Sequence, residues 1–285
     1  MIKLLAIDID GTLLDARGQL PGAHRDALID VHASGVDIAL ATGRSFHFTR
    51  PVAALLPMPL TLIVNNGAVV KTRAGPTVLR HLLPRDTARQ VLAGTRAWED
   101  SVALVFDREP DGPDPHIISQ FMDWTHVHRR GYYEKNKAFI GRTPAALVDE
   151  VTEDLIQVMF NGSVESMRSL VNGLRALPIA DRFSIAITEY ERRDFSLVDV
   201  NGAGCSKGTT LARWVAARGL TAADVMAVGD NLNDIEMLDF AGTAVVMGNA
   251  TDTLKARGYL ETVSNDEAGL AHAIRRFGLV APVGD

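Results

Sequence analysis

Apolar residues along this chain gather into short runs, most of them closed by a glycine or a polar turn. "KLLAIDI" runs straight towards Gly11, the pattern of a strand buried on both faces and ended by a turn. The spacing then becomes helical: residues 21–34 put Ala27, Leu28 and Val31 on one face, with Gly35 as a stop. "VDIALATGR" predicts a second buried strand, and "LTLIVNNGA" a third that closes in an Asn-Asn-Gly turn. Strand, helix, strand in this rhythm calls for parallel crossovers.

The same texture returns near the end of the chain. Residues 206–218 read as a helix with Ser206 as N-cap and Gly219 as stop, and Thr221 with Asp224 gives a capping-box-like start. "VMAVGD", a helix and "TAVVMG" follow. The middle differs. Residues 85–98 read as a helix with Ala88, Val91, Leu92 and Thr95 on one side, and "VALVF" as a strand. Beyond the Pro-rich "DREPDGPDPH", "LIQVMF" is a strand and residues 164–177 an amphipathic helix through Val164, Met167, Leu170, Val171 and Leu174. "FSIAI" and "FSLVDV" complete an α+β pattern, an open sheet with helices on one face. The predicted class is α/β: a parallel-sheet core from residues 1–83 and 199–285, with an α+β domain inserted at 84–198.

Composition narrows the partners. With 285 residues, 47% hydrophobic and 22% charged, the chain is globular material for one large or two modest domains. A net charge of -6 offers no general attraction to nucleic acid or to an anionic membrane, so neither is expected as a partner. A bound anion must be held locally, which points to a small molecule. The single cysteine, Cys205, rules out an intramolecular disulfide framework and suits a reducing compartment as a small packing residue. Asp8 and Asp10 interrupt the N-terminal apolar run, and no uninterrupted run reaches membrane-spanning length, so the expected location is cytoplasmic. Oligomeric state has no sequence signal.

Charge at strand ends changes the picture most. Ligands of an open parallel sheet bind outside the carboxyl ends of its strands. Those ends carry Asp8, Asp10 and Thr12, then Thr42, Gly43 and Arg44, then Asp230, Asn231, Asn233 and Asp234, while Lys207 opens a helix. Taken singly, an Asp before Gly is turn chemistry and a first-turn Lys a solvated charge. Together, the carboxylates would repel strongly without a cation, and hard oxygen ligands without His or Cys select Mg²⁺.

"DIDGTL", "ATGR", "SKG" and "GDNLND", in this order, resemble the four signature motifs of haloacid dehalogenase-superfamily phosphatases. The run "GDNLNDIEML" and the insertion between the second and third motifs resemble the Cof-type branch with a large α/β cap. The resemblance spans essentially the whole chain and implies a Rossmann-like core. It further implies that Asp8 is the nucleophile, forming an aspartyl phosphate, and that Asp10 is the general acid and base. It gives Mg²⁺ the Asp8 carboxylate, the Asp10 backbone carbonyl and Asp230. Phosphoryl oxygens would be held by the backbone N–H groups of Ile9 and Gly43 and by Thr42, Lys207 and Asn233, with Asp234 orienting Lys207 or a metal water. The implied substrate is a small phosphorylated metabolite, a sugar phosphate first. One departure is the flexible Gly202-Ala203-Gly204-Cys205 approach to Lys207.

Other signals lead elsewhere or nowhere. "GAGCSKGTT" is no P-loop, because Ser206 stands where that motif needs glycine. His116, His126 and His128 lack paired ligands for a metal, although the last two would share a face on a strand. "HRRGYYEKNK" reads as a solvated loop, and Glu189, Tyr190 and Arg192 are candidates for substrate contact. Two rivals to a hydrolase stand: a phosphomutase or phosphotransferase on the same scaffold, and a phosphoacceptor signalling module. The inserted domain and the acid/base Asp10 argue against the module.

Overall fold

The computed structural model describes residues 2–108 and 114–277, with every side chain among them except that of Arg192. The middle of the Pro-rich stretch, residues 109–113, lies outside the described residues. The chain opens with β1 (Leu4–Ile7), α1 (Gly22–Ala33), β2 (Asp37–Ala41), α2 (Phe46–Ala53), β3 (Thr61–Val64), β4 (Val69–Thr72) and β5 (Thr77–Arg80). Next come α3 (Arg85–Gly94), β6 (Val102–Val105), β7 (Ile117–Ser119), α4 (Val127–Asn136), β8 (Ile140–Arg142), α5 (Leu147–Glu150), β9 (Gln157–Gly162), α6 (Val164–Arg175), β10 (Phe183–Tyr190) and β11 (Phe195–Gly202). The last stretch holds α7 (Lys207–Ala217), β12 (Val225–Gly229), α8 (Ile235–Phe240), β13 (Thr243–Val246), α9 (Asp252–Lys255), β14 (Leu260–Glu261) and α10 (Gly269–Arg276). Two compact units result, one from Met1–Leu79 with Ser206–Asp285, the other Arg80–Cys205. Among the described residues no helix is long and apolar enough to cross a membrane.

The first unit is built on an eight-stranded sheet in the order β14-β13-β12-β1-β2-β3-β4-β5. Its central strands are parallel, and β4 returns antiparallel to β3. Strand β1 is wholly buried because both its neighbours are strands and both faces are covered, which explains a run of apolar residues without alternation. It pairs with β2 on one side and with β12 on the other, in a register that runs from Leu4↔Val225 to Ile7↔Val228. The chain leaves β1 in one direction and returns from the far end on the other side. That is the switch in strand order where a crevice opens. Helix α7 is capped as its sequence predicts: the Ser206 side chain accepts the Thr209 N–H, and Thr209 Oγ1 accepts the Ser206 N–H. Gly208 lets that end of the helix approach α8, since a Cβ there would lie 2.2 Å from the Glu236 carbonyl oxygen.

The second unit carries a six-stranded sheet ordered β10-β11-β9-β6-β7-β8, antiparallel except between β7 and β8. Alternation decides its two faces. Val158, Phe160, Val198 and Val200 share a core with Met167, Leu170 and Leu174 of α6 and with Ala88 and Val91 of α3. The alternate residues Gln157, Asn161 and Asp199 are polar and equally buried.

Here the structure corrects four expectations. "HRRGYYEKNK" is helix α4, not a solvated loop, and it covers the polar face, so helices lie on both sides of this sheet. Its anchor is Trp124, whose indole donates to Ser119 Oγ at 2.9 Å and stacks on Tyr132 and Tyr133. His126 and His128 sit at the start of α4, His126 as its N-cap, not on a strand. The helix expected over residues 85–98 stops at Gly94; Thr95 leaves helical geometry with φ at -121°, and a single 3₁₀ turn, Arg96–Trp98, follows.

Phe160 is fully buried in the centre of the second unit's core. Phe160→Ala is expected to lower stability by about 3–5 kcal/mol, read by chemical denaturation of the whole chain. A loss below about 1 kcal/mol would show that this core is not packed as described.

Candidate active site

The loop after β1 is held rigidly. Leu13 N–H donates to the Asp8 carbonyl and Leu14 N–H to that of Ile9, which folds Asp8, Ile9, Asp10 and Gly11 into a closed turn. Asn249 donates to the Gly11 carbonyl, Asn265 to that of Leu14, and His24 Nδ1 meets that of Leu13. Burial depresses the His24 pKa, against the pull of the Leu13 carbonyl. Gly11 has φ at +86°, and a Cβ on it would meet Asp230 Oδ2 at 2.2 Å. Only glycine lets the loop pass this close to a carboxylate. Asp15, beyond that loop, organises the next turn at the surface by accepting the N–H groups of Arg17 and Gln19.

Around that loop the structure brings together Asp8, Lys207, Asp230 and Asp234. The fully buried Lys207 Nζ donates to Asp8 Oδ1 at 2.6 Å and to Asp234 Oδ1 at 2.7 Å. Asp234 Oδ2 accepts the backbone N–H groups of Asp230 and Asn231, both at 3.0 Å, so Asp234 is fully engaged. Among the described residues the Asp230 carboxylate takes one bond, from Thr12 Oγ1 at 2.9 Å. Carboxylates outnumber the ammonium, and the pKa values follow. Asp8 is pushed up to about 7, by burial first and by Asp234 and Asp10 further, against the pull of Lys207. Asp230 is raised well above the carboxylate range by burial, then by Asp8 and Asp234. Burial acts to lower Lys207, but Asp234 and Asp8 outweigh it and its pKa rises.

Asp10 faces a different environment. Arg44 grips it with a two-pronged pair, Nε to Oδ2 and Nη2 to Oδ1, both at 2.6 Å. The guanidinium also lies over the Phe48 ring, 4.6 Å from its centre. Thr42 is buried and its hydroxyl accepts the Arg44 N–H. Asn233 Nδ2 donates to Asn66 Oδ1 at 2.9 Å. Asn65 and Asn66 both adopt left-handed geometry, which asparagine tolerates, and their N–H groups donate to the carbonyls of Arg44 and Thr42. This ties the Asn-Asn-Gly turn to the Thr42-Gly43-Arg44 loop. Thr12, Arg44 and Asn66 therefore belong to the site although no role was expected for them. Their signal was position, since all three follow strand ends.

Two of the three candidates in the second unit are otherwise occupied. Glu189 accepts both prongs of Arg168, and Tyr190 stacks on Phe195. The Arg192 side chain lies outside the described residues.

The sequence profile of the haloacid dehalogenase-like hydrolases matches residues 5–274. The chain belongs to this family. It is 28% identical over 280 residues to the 5-amino-6-(5-phospho-D-ribitylamino)uracil phosphatase YcsE of Bacillus subtilis, which covers 98% of this chain and 96% of that one. HMP-PP phosphatase of Cronobacter sakazakii is 29% identical over 260 residues, 90% of this chain and 88% of that one. Among solved structures, BT1666 of Bacteroides thetaiotaomicron, a phosphatase of the superfamily, matches with a TM-score of 0.78 at 26% identity, covering 98% and 96%. The expected phosphatase family is borne out, and with it the α/β class.

Haloacid dehalogenase-like hydrolases generally use a divalent metal, and the residues of this hydrolase fit one. One carboxylate oxygen each from Asp8, Asp230 and Asp234 lie within 4.8 Å of one another, and all three residues are buried. Asp8 Oδ2 and Asp230 Oδ2 take no hydrogen bond among the described residues, whereas both oxygens of Asp234 do. Asp8 and Asp230 are thus the two with an oxygen to offer, and a hard, all-oxygen set suits a hard cation.

Because the folded pKa of Asp8 lies near 7 against an unbound 3.8, the metal-free folded state holds a proton there that the unfolded state has lost. This contribution is present below about pH 4 and lost as pH rises through about 7. In chelator, the thermal midpoint is expected to fall across that window, less steeply in Asp8→Asn, and added Mg²⁺ at neutral pH is expected to raise it. Equal pH slopes in the two proteins would contradict the charge balance described.

Proposed function

We propose that this hydrolase is a Mg²⁺-dependent phosphomonoesterase that acts on a small phosphorylated metabolite, a sugar phosphate in the first instance, through an aspartyl-phosphate intermediate. The observation that carries the reading is the unequal treatment of two aspartates two residues apart. Asp8 is buried against Lys207 with a free oxygen, and Asp10 is half-exposed and held by Arg44. The former suits a nucleophile, the latter a group that exchanges protons with substrate and water. The names of the relatives support phosphate-ester chemistry on small molecules.

In the proposed first step an Asp8 carboxylate oxygen attacks phosphorus and the ester P–O bond breaks, with Asp10 passing a proton to the leaving oxygen. In the second step water attacks phosphorus, Asp10 takes its proton, and the bond from phosphorus to Asp8 breaks. Lys207 holds Asp8 Oδ1 in place, leaving Oδ2 free, and Asp234 fixes Lys207. Thr42, Asn233 and the N–H groups of Ile9 and Gly43 are proposed to hold the phosphoryl oxygens, as is Lys207. A cation held by Asp8, Asp230 and the Asp10 carbonyl would neutralise phosphoryl charge, which is most of what this chemistry asks of a protein. Asp10 is free to donate only once Arg44 releases it, and an incoming phosphate is a competing partner for that guanidinium.

Asp8→Asn is nearly isosteric and is expected to lower aryl phosphate turnover by more than about a thousandfold with the fold intact by circular dichroism. Chelation is expected to silence the wild type and Mg²⁺ to restore it. Full activity of Asp8→Asn would refute the nucleophile; turnover that survives chelation would refute the metal.

A further inference from the structure

The second unit carries a partly open cavity of about 330 Å³, walled by His126, His128, Arg129, Ser163, Ser166 and Phe195. Arg129 is half-buried there, and burial lowers its pKa. Its bonds go to neutral oxygens: Nε donates to Asn161 Oδ1, and Nη2 to the Asn161 carbonyl at 2.7 Å and to Ser101 Oγ at 3.5 Å. These fix the plane of the guanidinium without neutralising it. Asp100 and Asp123 are near enough to favour its charge, yet neither forms an ion pair with it among the described residues. Nη1 takes no partner there, which leaves its two N–H groups unused. His126 Nδ1 accepts the His128 N–H, so a neutral His126 carries its proton on Nε2 as a further donor. His128 stacks on Phe195, which sets its ring beside the cavity. The carboxylate on the wall, Asp194, is engaged by the Val164 N–H.

We propose that this cavity binds a small oxyanion, a phosphate or carboxylate group, on Arg129, with His126 and His128 as additional N–H donors. A fixed guanidinium with its Nη1 donors spare can donate to one oxygen of such an anion while the histidines reach others, and partial burial strengthens the pairing over what water allows. The anion has two possible sources, the far end of the hydrolase's own substrate or a separate small metabolite. Both present the same chemistry to Arg129.

The test titrates inorganic phosphate into the full chain in chelator and follows the ring signals of His126 and His128, assigned with His126→Gln and His128→Gln. Both rings are expected to shift along one saturable curve. Arg129→Gln is expected to weaken binding by about tenfold or more. His128→Glu, which leaves the Arg129–Asn161 contact alone and adds a negative charge, is expected to do the same at His126. Asp8→Asn is expected to leave the curve unchanged, so the result stands or falls apart from the proposed catalytic reading. Rings that do not move, that move without saturating, or that move equally in Arg129→Gln and His128→Glu would overturn the site. If Arg129→Gln raises KM for a substrate with a second acidic group and not for an aryl phosphate, the anion is the substrate's far end. If phosphate binds but neither KM changes, it is a separate metabolite.

Discussion

One buried ammonium holds the site together. Lys207 Nζ lies between Asp8 and Asp234, out of contact with water, and each of the three would be costly to bury alone. The surrounding structure is arranged to keep them together. The β1–β12 register delivers Asp8 and Asp230 to the same edge, Gly208 brings the start of α7 against α8, and Ser206 caps that helix so that Lys207 sits at its first position. Asp234 is pinned by two backbone N–H groups, so it can hold Lys207 without moving. Removing any one of these partners leaves a buried charge unbalanced.

The cluster still carries more negative than positive charge, and that surplus explains the raised pKa values of Asp8 and Asp230. Carboxylate oxygens of Asp8, Asp230 and Asp234 crowd within 4.8 Å of one another, beside a loop that passes Asp230 so closely that only glycine can follow it. A divalent cation is the natural complement. Asp10, two residues from Asp8, is instead paired with Arg44, which reaches it from the loop after β2. Separation of two aspartates by environment is what allows one short loop to supply two chemistries.

Much of this was legible in the residues. Strands buried on both faces announce themselves as unbroken apolar runs, and capping residues such as Ser206, Thr221 and Asp224 mark helix and turn starts by local chemistry alone. The convergence of Asp8, Lys207, Asp230 and Asp234 followed from placing strand ends on one edge of a parallel sheet. What escaped depends on partners distant in sequence or on geometry finer than periodicity. Helix α4 has a polar, charged sequence and is held by the Trp124 ring and by Asn161, neither of which its own composition reveals. Arg44 looked like the end of a strand motif, and only the folded loop shows it gripping Asp10. The left-handed Asn65-Asn66 pair reads as turn chemistry in the sequence and as a strut beneath Asn233 in the structure.

The central claim is that an Asp8 carboxylate oxygen bonds to phosphorus. Rapid acid quench during turnover, borohydride reduction and mass spectrometry of the digested chain test it most directly. An acyl phosphate is reduced where a free carboxylate is not, so Asp8, and no other aspartate, should be converted to homoserine. Reduction at another residue, or none under conditions of full turnover, would contradict the account.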